Sequence, residues 1–281
     1  MSVINTNIAS LSSQASLAVN QRGLAKAMQE LSTGKRINSA SDDAAGLAIS
    51  DKLTSQIRGF NQAVRNANDA ISMLQTAEGA TNEITNMLQR MRELAVQAAN
   101  DTNGSGERSA LQSEYSALRT EIDRISTTTK FNNMGILDGT AGSASDGTLT
   151  FQVGATSDSD NQVDFTFSDF STASGITSDV ASDDLTTLSG AQAALDNVDS
   201  ALTAVDSQRA AMGALINRLQ YTVDNLTNIS VHAAESRSRI TDADYSQASA
   251  DLSKHQIIQQ AATAMLAQAN QQPQAVLQLL K

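Results

Sequence analysis

Residues 57–99 read IRGFNQAVRNANDAISMLQTAEGATNEITNMLQRMRELAVQAA, and this stretch decides the fold. Apolar residues recur in it at intervals of three or four, so that they lie on one face of an α-helix. The first run is Ile57, Phe60, Val64, Ala67, Ile71 and Leu74, and after a skip a second run follows with Ala77, Ile84, Leu88, Met91, Ala95 and Ala98. The spacing predicts one long helix with a coiled-coil-type seam and one phase shift.

The segments around this helix extend the helical pattern. Before it, the polar residues 35–55 indicate a loop or a helix cap. After it, NDTNGSG at 100–106 breaks the helix, and the apolar residues from Leu111 to Ile125 predict a shorter helix that returns antiparallel. From Leu188 onward a second long seam repeats the same spacing.

The middle of the chain differs in composition. Residues 138–184 are rich in Gly, Ser, Thr and Asp, and they contain nine aspartates but no Lys or Arg. Two stretches, around Phe151 and around Phe165, alternate apolar and polar residues as half-buried strands do. We therefore expect a small β-hairpin insert.

Both ends of the chain carry narrow apolar stripes at helical spacing. The N-terminal stripe drifts around its helix, and its members are Ile4, Ile8, Leu11, Leu17, Leu24 and Leu31. The C-terminal members are Ile258, Met265, Val276 and Leu279. A helix with so narrow a stripe is not stable alone, so the termini are expected to pair with each other or with neighbouring subunits. The predicted fold is mainly α, with long coiled-coil-like helices, paired N- and C-termini and the small β-hairpin insert.

Composition argues against several classes of protein. Only 3% of the 281 residues are aromatic, which disfavours a thick globular core. Because the chain has no Cys, it offers neither a disulfide nor a Cys nucleophile. The net charge of −11 would repel phosphate backbones, so nucleic acid is not an expected partner. The N-terminal sequence lacks the features of a signal peptide and no apolar run is long enough to span a membrane, so we expect no membrane partner and a different export route.

The sequence contains no motif for catalysis or cofactor binding. It has no nucleophile elbow, P-loop or dinucleotide fingerprint. His232 and His255 belong to no metal-ligand motif, and the aspartates of the insert lack the order of a calcium loop. We expect no enzyme activity, no cofactor and no metal.

The two ends together resemble one family. The opening MSVINTNIASLSSQASLAVNQRGLAKAMQELSTGKRINSASDDAAGLAISDKL resembles the N-terminus of bacterial flagellins, and SRSRITDADYSQASADLSKHQIIQQAATAMLAQANQQPQAVLQLLK resembles their C-terminus. Between them, QRMRELAVQAAN, KFNNMGILDG and LTFQVGA are similar to flagellin segments in the same order. The resemblance covers nearly the whole chain outside residues 141–184. It implies a short flagellin without the large outer domains of many relatives.

The resemblance implies a division into an inner and an outer domain. The inner, filament-core domain would consist of residues 1–40 and 241–281. The helical outer domain would consist of residues 41–140 and 185–240, with residues 141–184 as its variable, β-rich insert.

The resemblance also implies a function and a set of partners. Flagellins are secreted structural subunits of the extracellular bacterial flagellum, exported unfolded through the flagellar type III apparatus. They polymerise with copies of themselves under a filament cap protein, and an export chaperone and hook–filament junction proteins are further implied partners. The alternative is a hook–filament junction protein of related architecture, which shares the plan of the terminal helices.

QRMRELAV at 89–96 is similar to the flagellin segment that a host Toll-like receptor recognises. Matched residue by residue, the contacts would be Gln89, Arg90 and Leu94, with Glu114 on the returning helix. In the family this surface packs against the next subunit, so only the monomer would be recognised. The other interpretation is an ordinary solvated helix face with weak local ion pairs.

Overall fold

The computed structural model describes residues 6–279, with side chains up to residue 271. Three members of the predicted terminal stripes lie outside the described side chains: Ile4, Val276 and Leu279. The helices in the described part are α1 (Ile8–Thr33), α2 (Ala44–Ala98), α3 (Ser105–Thr128), α4 (Leu188–Thr241) and α5 (Tyr245–Leu279). The strands are β1 (Lys130–Phe131), β2 (Met134–Gly135), β3 (Thr148–Gln152) and β4 (Gln162–Thr166). The predicted fold class, mainly α with a small β insert, is confirmed.

Contacts between residues divide the chain into two units. The first unit contains residues 1–57 and 231–281, and the second contains residues 58–230. The helices α1 and α5 belong to the first unit, whereas α3 and the four strands belong to the second. The five segments that the family resemblance implies stay a prediction.

The seam of α2 runs through the second unit without a phase shift. Its buried positions alternate three and four residues apart: Ala63, Ala67, Ala70, Leu74, Ala77, Thr81, Ile84, Leu88, Met91, Ala95 and Ala98. The predicted phase shift between Leu74 and Ala77 is wrong, because Ala63 and Ala70 occupy the seam in place of Val64 and Ile71, which are half-buried beside it. Thr81 fills the gap between Ala77 and Ile84, fully buried, and its hydroxyl donates a hydrogen bond to the Glu78 carbonyl at 3.0 Å. A threonine whose hydroxyl bonds to its own helix can occupy a seam position that a search for apolar residues misses.

Facing seam positions come from α4 and show the same regular spacing. The buried members are Ala191, Ala194, Val198, Ala201, Val205, Met212, Leu215 and Leu219. Together with buried residues of α2, α3 and the strands they form one continuous hydrophobic cluster. The core of the second unit is therefore built from two heptad-patterned helices, as the sequence predicted.

The start of α2 differs from the prediction. The polar residues 35–55 were expected to form a loop or cap, but α2 begins at Ala44 and only the residues before it are irregular. The Asp43 carboxylate accepts a hydrogen bond from the Gly46 N–H at 2.8 Å, as an N-cap side chain does. This hydrogen bond lowers the pKa of Asp43 below its ordinary value. The polar segment is thus a cap followed by a helix with a solvated face.

The predicted β-hairpin is present in the insert. Strands β3 and β4 pair antiparallel, with Leu149 opposite Phe165 and Phe151 opposite Val163. Phe167 is buried just after β4, and its ring meets Phe165 edge-on with centroids 4.8 Å apart. The alternating pattern therefore located both strands.

A second, shorter hairpin has no counterpart in the sequence prediction. Strands β1 and β2 pair on either side of Asn132 and Asn133, whose φ angles are 48° and 66°. Asn adopts this left-handed region more readily than other residues with a side chain, and two such residues in succession form a turn that suits antiparallel strands. The Asn–Asn pair is the signal that could have located this hairpin.

A polar network at the edge of the core joins α3 to α4 and to the segment before it. The Tyr115 hydroxyl donates to one oxygen of the Asp183 carboxylate, and Asn197 Nδ2 donates to the other at 2.6 Å. The Gln112 side chain accepts a hydrogen bond from the Leu185 N–H at 2.7 Å. Burial, reinforced by the bond to Asp183, raises the pKa of Tyr115 above its ordinary value. Tyr115 therefore stays neutral and acts as a donor.

We predict that Tyr115→Phe destabilises the chain by about 1–3 kcal/mol, because it leaves the buried Asp183 carboxylate with one donor fewer. Urea unfolding followed by circular dichroism would measure this loss. Tyr221→Phe is the matched control, since Tyr221 is 77% exposed. Equal unfolding midpoints for Tyr115→Phe and the unmodified chain would show that the network adds no stability.

Candidate functional site

The helices α1 and α5 pair antiparallel in the first unit. Asn7 Nδ2 donates to the Ala269 carbonyl at 2.8 Å, near the start of α1. At the other end, the N–H of Ala243 donates to the Gly34 carbonyl at 3.0 Å. Gly34 ends α1 with φ of 69°, a left-handed conformation that glycine adopts without strain. The two terminal helices thus meet along their length.

The seam between α1 and α5 contains mostly small and polar side chains. On α1 the least exposed positions recur three and four residues apart: Ser10, Ser13, Leu17, Asn20, Leu24, Ala27 and Leu31. On α5 the corresponding positions are Ala248, Leu252, His255, Gln259, Ala262, Leu266 and Ala269. Among the predicted assembly residues, Leu17, Leu24 and Leu31 therefore lie on this seam, half-buried.

The other predicted stripe residues do not lie on the α1–α5 seam. Ile8 and Leu11 on α1, with Ile258 and Met265 on α5, are between 39% and 64% exposed. Of the two expected kinds of pairing, these four residues do not make the one within the chain, and their pairing with neighbouring subunits stays a prediction. The drift seen in the sequence has a physical reason: two separate stripes, one facing α5 and one facing solvent, overlap along α1.

Further apolar residues outside the predicted stripes are exposed, among them Val19 and Met28 on α1 and Ile257 on α5. At 100° per residue, Ile8, Leu11 and Val19 lie roughly opposite the α1 seam. The described part of the chain therefore leaves these apolar side chains of α1 uncovered. We name the seven exposed residues the outer stripe: Ile8, Leu11, Val19, Met28, Ile257, Ile258 and Met265.

The second candidate site lies on the solvent face of α2 and α3. The Arg90 guanidinium contacts Glu114 Oε1 from Nη2 at 2.8 Å and from Nε at 2.9 Å, and its Nη1 donates to Glu93 Oε2 at 2.8 Å. Gln89 is exposed beside Arg90. The structure thus brings Arg90 and Glu114 into direct contact and adds Glu93, which sequence analysis did not single out. The i,i+3 spacing of Arg90 and Glu93 could have identified this pair.

Leu94 does not belong to this exposed surface. It is 1% exposed and packs in the core of the second unit. In the folded chain its side chain cannot touch a partner, so its predicted role as a direct contact is corrected. Leu94 instead anchors the turn of α2 that carries Arg90 and Glu93, and the exposed apolar residue nearby is Val96.

A further ion pair links α2 to α4. Arg92 Nε donates to Asp199 Oδ1 at 2.6 Å and Nη2 donates to Oδ2 at 3.2 Å, a two-pronged geometry. These hydrogen bonds lower the pKa of Asp199 below its ordinary value. Spacing could not have shown this pair, because the two residues are far apart in sequence.

In the described part of the chain, no three His, Asp or Glu side chains lie together in a way that could hold a metal ion. Among residues 6–279, no helix combines the length and the apolar character needed to cross a lipid bilayer.

Comparison with known proteins assigns the chain to a family. The family model for the bacterial flagellin N-terminal helical region matches residues 4–142, and the model for the bacterial flagellin C-terminal helical region matches residues 195–280. The chain belongs to the bacterial flagellin family. A flagellin of Halalkalibacterium halodurans is 46% identical over 279 residues, which cover 99% of this chain and 100% of that protein. A flagellin of Bacillus subtilis is 42% identical over 306 residues, which cover 99% of each chain.

A solved structure supports the fold independently. The structure of a putative flagellar hook-associated protein from Vibrio parahaemolyticus has a TM-score of 0.59, with 14% identity, over 72% of this chain and 100% of that chain. At this identity the likeness shows a shared fold.

This flagellin is a structural subunit of the bacterial flagellar filament, which it forms by self-association, and it is not an enzyme.

We predict that Arg92→Gln raises the pKa of Asp199 toward its ordinary value, because two hydrogen bonds to the carboxylate are lost. The stabilisation from a lowered pKa is present above the unfolded pKa of about 3.9 and disappears as the pH falls through the folded pKa. The variant should therefore lose less stability than the unmodified chain between neutral and acid pH.

Carboxyl NMR titration would measure the Asp199 pKa directly. Arg65→Gln is the control, since Arg65 donates to Gln62 on the same helix. An Asp199 titration curve that is identical in Arg92→Gln and in the unmodified flagellin would contradict the assignment.

Proposed function

We propose that this flagellin polymerises by burying its outer stripe against neighbouring copies of the chain. The observation that carries the proposal is the exposure of large apolar side chains on both terminal helices while their shared seam contains mostly small and polar residues. Full burial of one such side chain favours association by about 1.5–3 kcal/mol of free energy. The conformational entropy that is lost when both ends become ordered opposes it. Burial of the seven residues, which are 39–66% exposed in the single chain, would favour association.

The route to the filament follows from the family. We propose secretion in an unfolded state through the flagellar type III apparatus, with an export chaperone before passage and a filament cap protein at the growing end. Hook–filament junction proteins would connect the filament to the hook. The sequence has no cysteine and a single proline, so folding needs no slow disulfide formation and little slow proline isomerisation. Both features suit a chain that passes through the export apparatus unfolded and folds afterwards.

Substituting the outer stripe tests the assembly proposal. We expect that Leu11→Gln and Ile257→Gln each slow the elongation of filament seeds, because a polar side chain would be buried without a partner. Light scattering and negative-stain microscopy after seeding would measure elongation. Gln260→Ala, at an exposed polar position of α5, is the control.

Circular dichroism should show that the helical content of both stripe variants is unchanged. Elongation by a folded Leu11→Gln, Ile257→Gln double variant at the rate of the unmodified flagellin would refute burial of the stripe. If the unmodified chain did not elongate seeds, the assembly function itself would be refuted.

We further propose that the monomer is recognised by the flagellin-sensing Toll-like receptor through Gln89, Arg90 and Glu114. Support comes from the family resemblance of residues 89–96 and from the exposed charge cluster of Arg90, Glu93 and Glu114. In this arrangement Leu94 supports the site from the core. Because the same face contacts the next subunit in family filaments, only free monomer would be recognised.

We expect Arg90→Ala to lower receptor activation by folded monomer strongly, since an arginine at the centre of an interface often dominates binding. A reporter-cell assay with purified monomer would measure activation. Arg65→Ala is the control, because Arg65 is also an exposed arginine of α2. Unchanged activation by Arg90→Ala would identify the cluster as an ordinary solvated face.

A further inference from the structure

The turn between α2 and α3 contains the dipeptide Asn103–Gly104, which is the only Asn–Gly pair in the chain. Asn103 is partly exposed, and Gly104 is exposed at the N-cap position of α3. Glycine has no side chain to hinder the approach of its backbone nitrogen to the preceding residue. Asparagine loses its amide most readily in this sequence, because the nitrogen of the next residue attacks the side-chain carbonyl carbon.

The backbone N–H of Gly104 is available for this reaction. No backbone carbonyl in the described part of the chain accepts a hydrogen bond from it. Asparagines in the interior of a helix differ, because the N–H that follows them is bonded to a carbonyl four residues earlier. Asn38 lies outside the helices, but the N–H of the next residue, Ser39, donates to Asp42 Oδ2 at 2.9 Å. Asn103 therefore combines a following glycine with an N–H that no described carbonyl accepts.

The Asn103 side chain stabilises the end of α2. Its Nδ2 donates to the Gln97 carbonyl at 2.6 Å, and the same carbonyl accepts from the Asn100 N–H at 3.2 Å. The neighbouring Ala98 carbonyl accepts from Arg108 Nε at 2.9 Å. Side-chain donors of this kind satisfy carbonyls that a helix leaves without a partner at its C-terminus. Asn103 and Arg108 thus cap α2 together.

We propose that Asn103 is a deamidation site in the folded chain, and that the reaction removes one of these two caps. The Gly104 nitrogen forms a bond to Asn103 Cγ, and Nδ2 leaves as ammonia with the proton that the Gly104 N–H gives up. Water then adds to one of the two carbonyl carbons of the resulting cyclic imide and breaks its bond to the nitrogen. Attack at Cγ gives aspartate, and attack at the backbone carbonyl carbon of Asn103 gives isoaspartate.

The hydrogen bond to Gln97 slows this reaction but does not prevent it. Nδ2 must leave the Gln97 carbonyl before Cγ can reach the Gly104 nitrogen. The net contribution of one such hydrogen bond corresponds to a roughly two- to tenfold slower reaction than in the unfolded chain. The fold therefore leaves Asn103 reactive, while it protects Asn38 through the bond of the following N–H.

The reaction changes the chemistry of the α2 terminus. A carboxylate only accepts hydrogen bonds, so it cannot replace the amide at the Gln97 carbonyl. It also adds a negative charge near the C-terminus of a helix, where the helix dipole disfavours one. Isoaspartate further lengthens the main chain of the turn by one carbon. Because Arg108 keeps its bond to the Ala98 carbonyl, we expect the turn to loosen while α2 stays helical.

Incubation of the purified, folded flagellin at mildly alkaline pH tests the proposal. Mass spectrometry of proteolytic peptides would follow the conversion of amide to acid at each asparagine. We expect Asn103 to convert, with isoaspartate among the products, while Asn38 keeps its amide. The rate should rise with pH, since the attacking nitrogen must lose its proton. In the chain unfolded in urea, Asn103 should react at most about tenfold faster.

Gly104→Ala is the matched variant for the attacking nitrogen. Gly104 has a φ of −75°, which alanine adopts without strain, and the added Cβ would meet the exposed Glu107 carboxylate, which can move. We expect Asn103 to lose its amide several-fold more slowly in this variant, because the new side chain hinders the attack. An equal rate in both chains would contradict attack by the nitrogen of residue 104.

Asn103→Asp reproduces the aspartate product and tests the loss of the cap. We expect a lower urea midpoint than in Asn82→Asp, which adds the same charge at an exposed position of α2. Equal midpoints would show that the Asn103 amide does not stabilise the end of α2. An Asn103 that keeps its amide in the folded chain, whether or not the urea-unfolded chain loses it, would overturn the deamidation site.

Discussion

The limited apolar area between α1 and α5 is the constraint on which the assembly of this flagellin depends. The fully buried positions between these two antiparallel helices are alanine, serine and asparagine, and the leucines of the seam are only half-buried. The helices therefore gain little from the hydrophobic effect, and their pairing needs further contacts. The second unit differs, because Leu74, Ile84, Leu88 and Tyr115 complete a core within one chain. One part of the protein is stable through its own packing, while the other part leaves apolar surface exposed, which the proposed assembly would bury against a second copy.

The heptad spacing allowed much of the fold to be predicted. Periodicity located both long helices, and alternation located β3 and β4 to within a residue or two. The errors arose where a polar residue stabilises the helix. Thr81 occupies a seam position of α2, and Asp43 caps the start of α2, which the polar sequence had predicted as a loop or cap. The hairpin of β1 and β2 is too short to show alternation. The hydrophobic pattern identifies the buried face of a helix or strand, but it does not show which polar side chains form hydrogen bonds within the fold.

Less of the candidate sites could be predicted from sequence. Only the family resemblance related Glu114 to Arg90, and no spacing rule connects Arg92 with Asp199 or Asn20 with His255. Leu94 was misassigned because exposure depends on which side of the helix faces the core, and Leu94 and Ala95 are adjacent buried positions. The predicted terminal stripes combine seam residues and exposed residues for a related reason, since α1 carries apolar side chains on two different faces.

The separation between buried Leu94 and exposed Arg90 has an evolutionary consequence. Residues on the outer face of this helix turn form ion pairs that are largely solvated, and such pairs contribute at most about 1 kcal/mol to stability. Under the proposed receptor recognition, selection by a host could therefore change these charges at a cost of at most about 1 kcal/mol in folding stability. Under the proposed contact of the same face with the next subunit, the opposing pressure would come from the filament, so immune evasion at this surface would conflict with motility and not with the stability of the subunit.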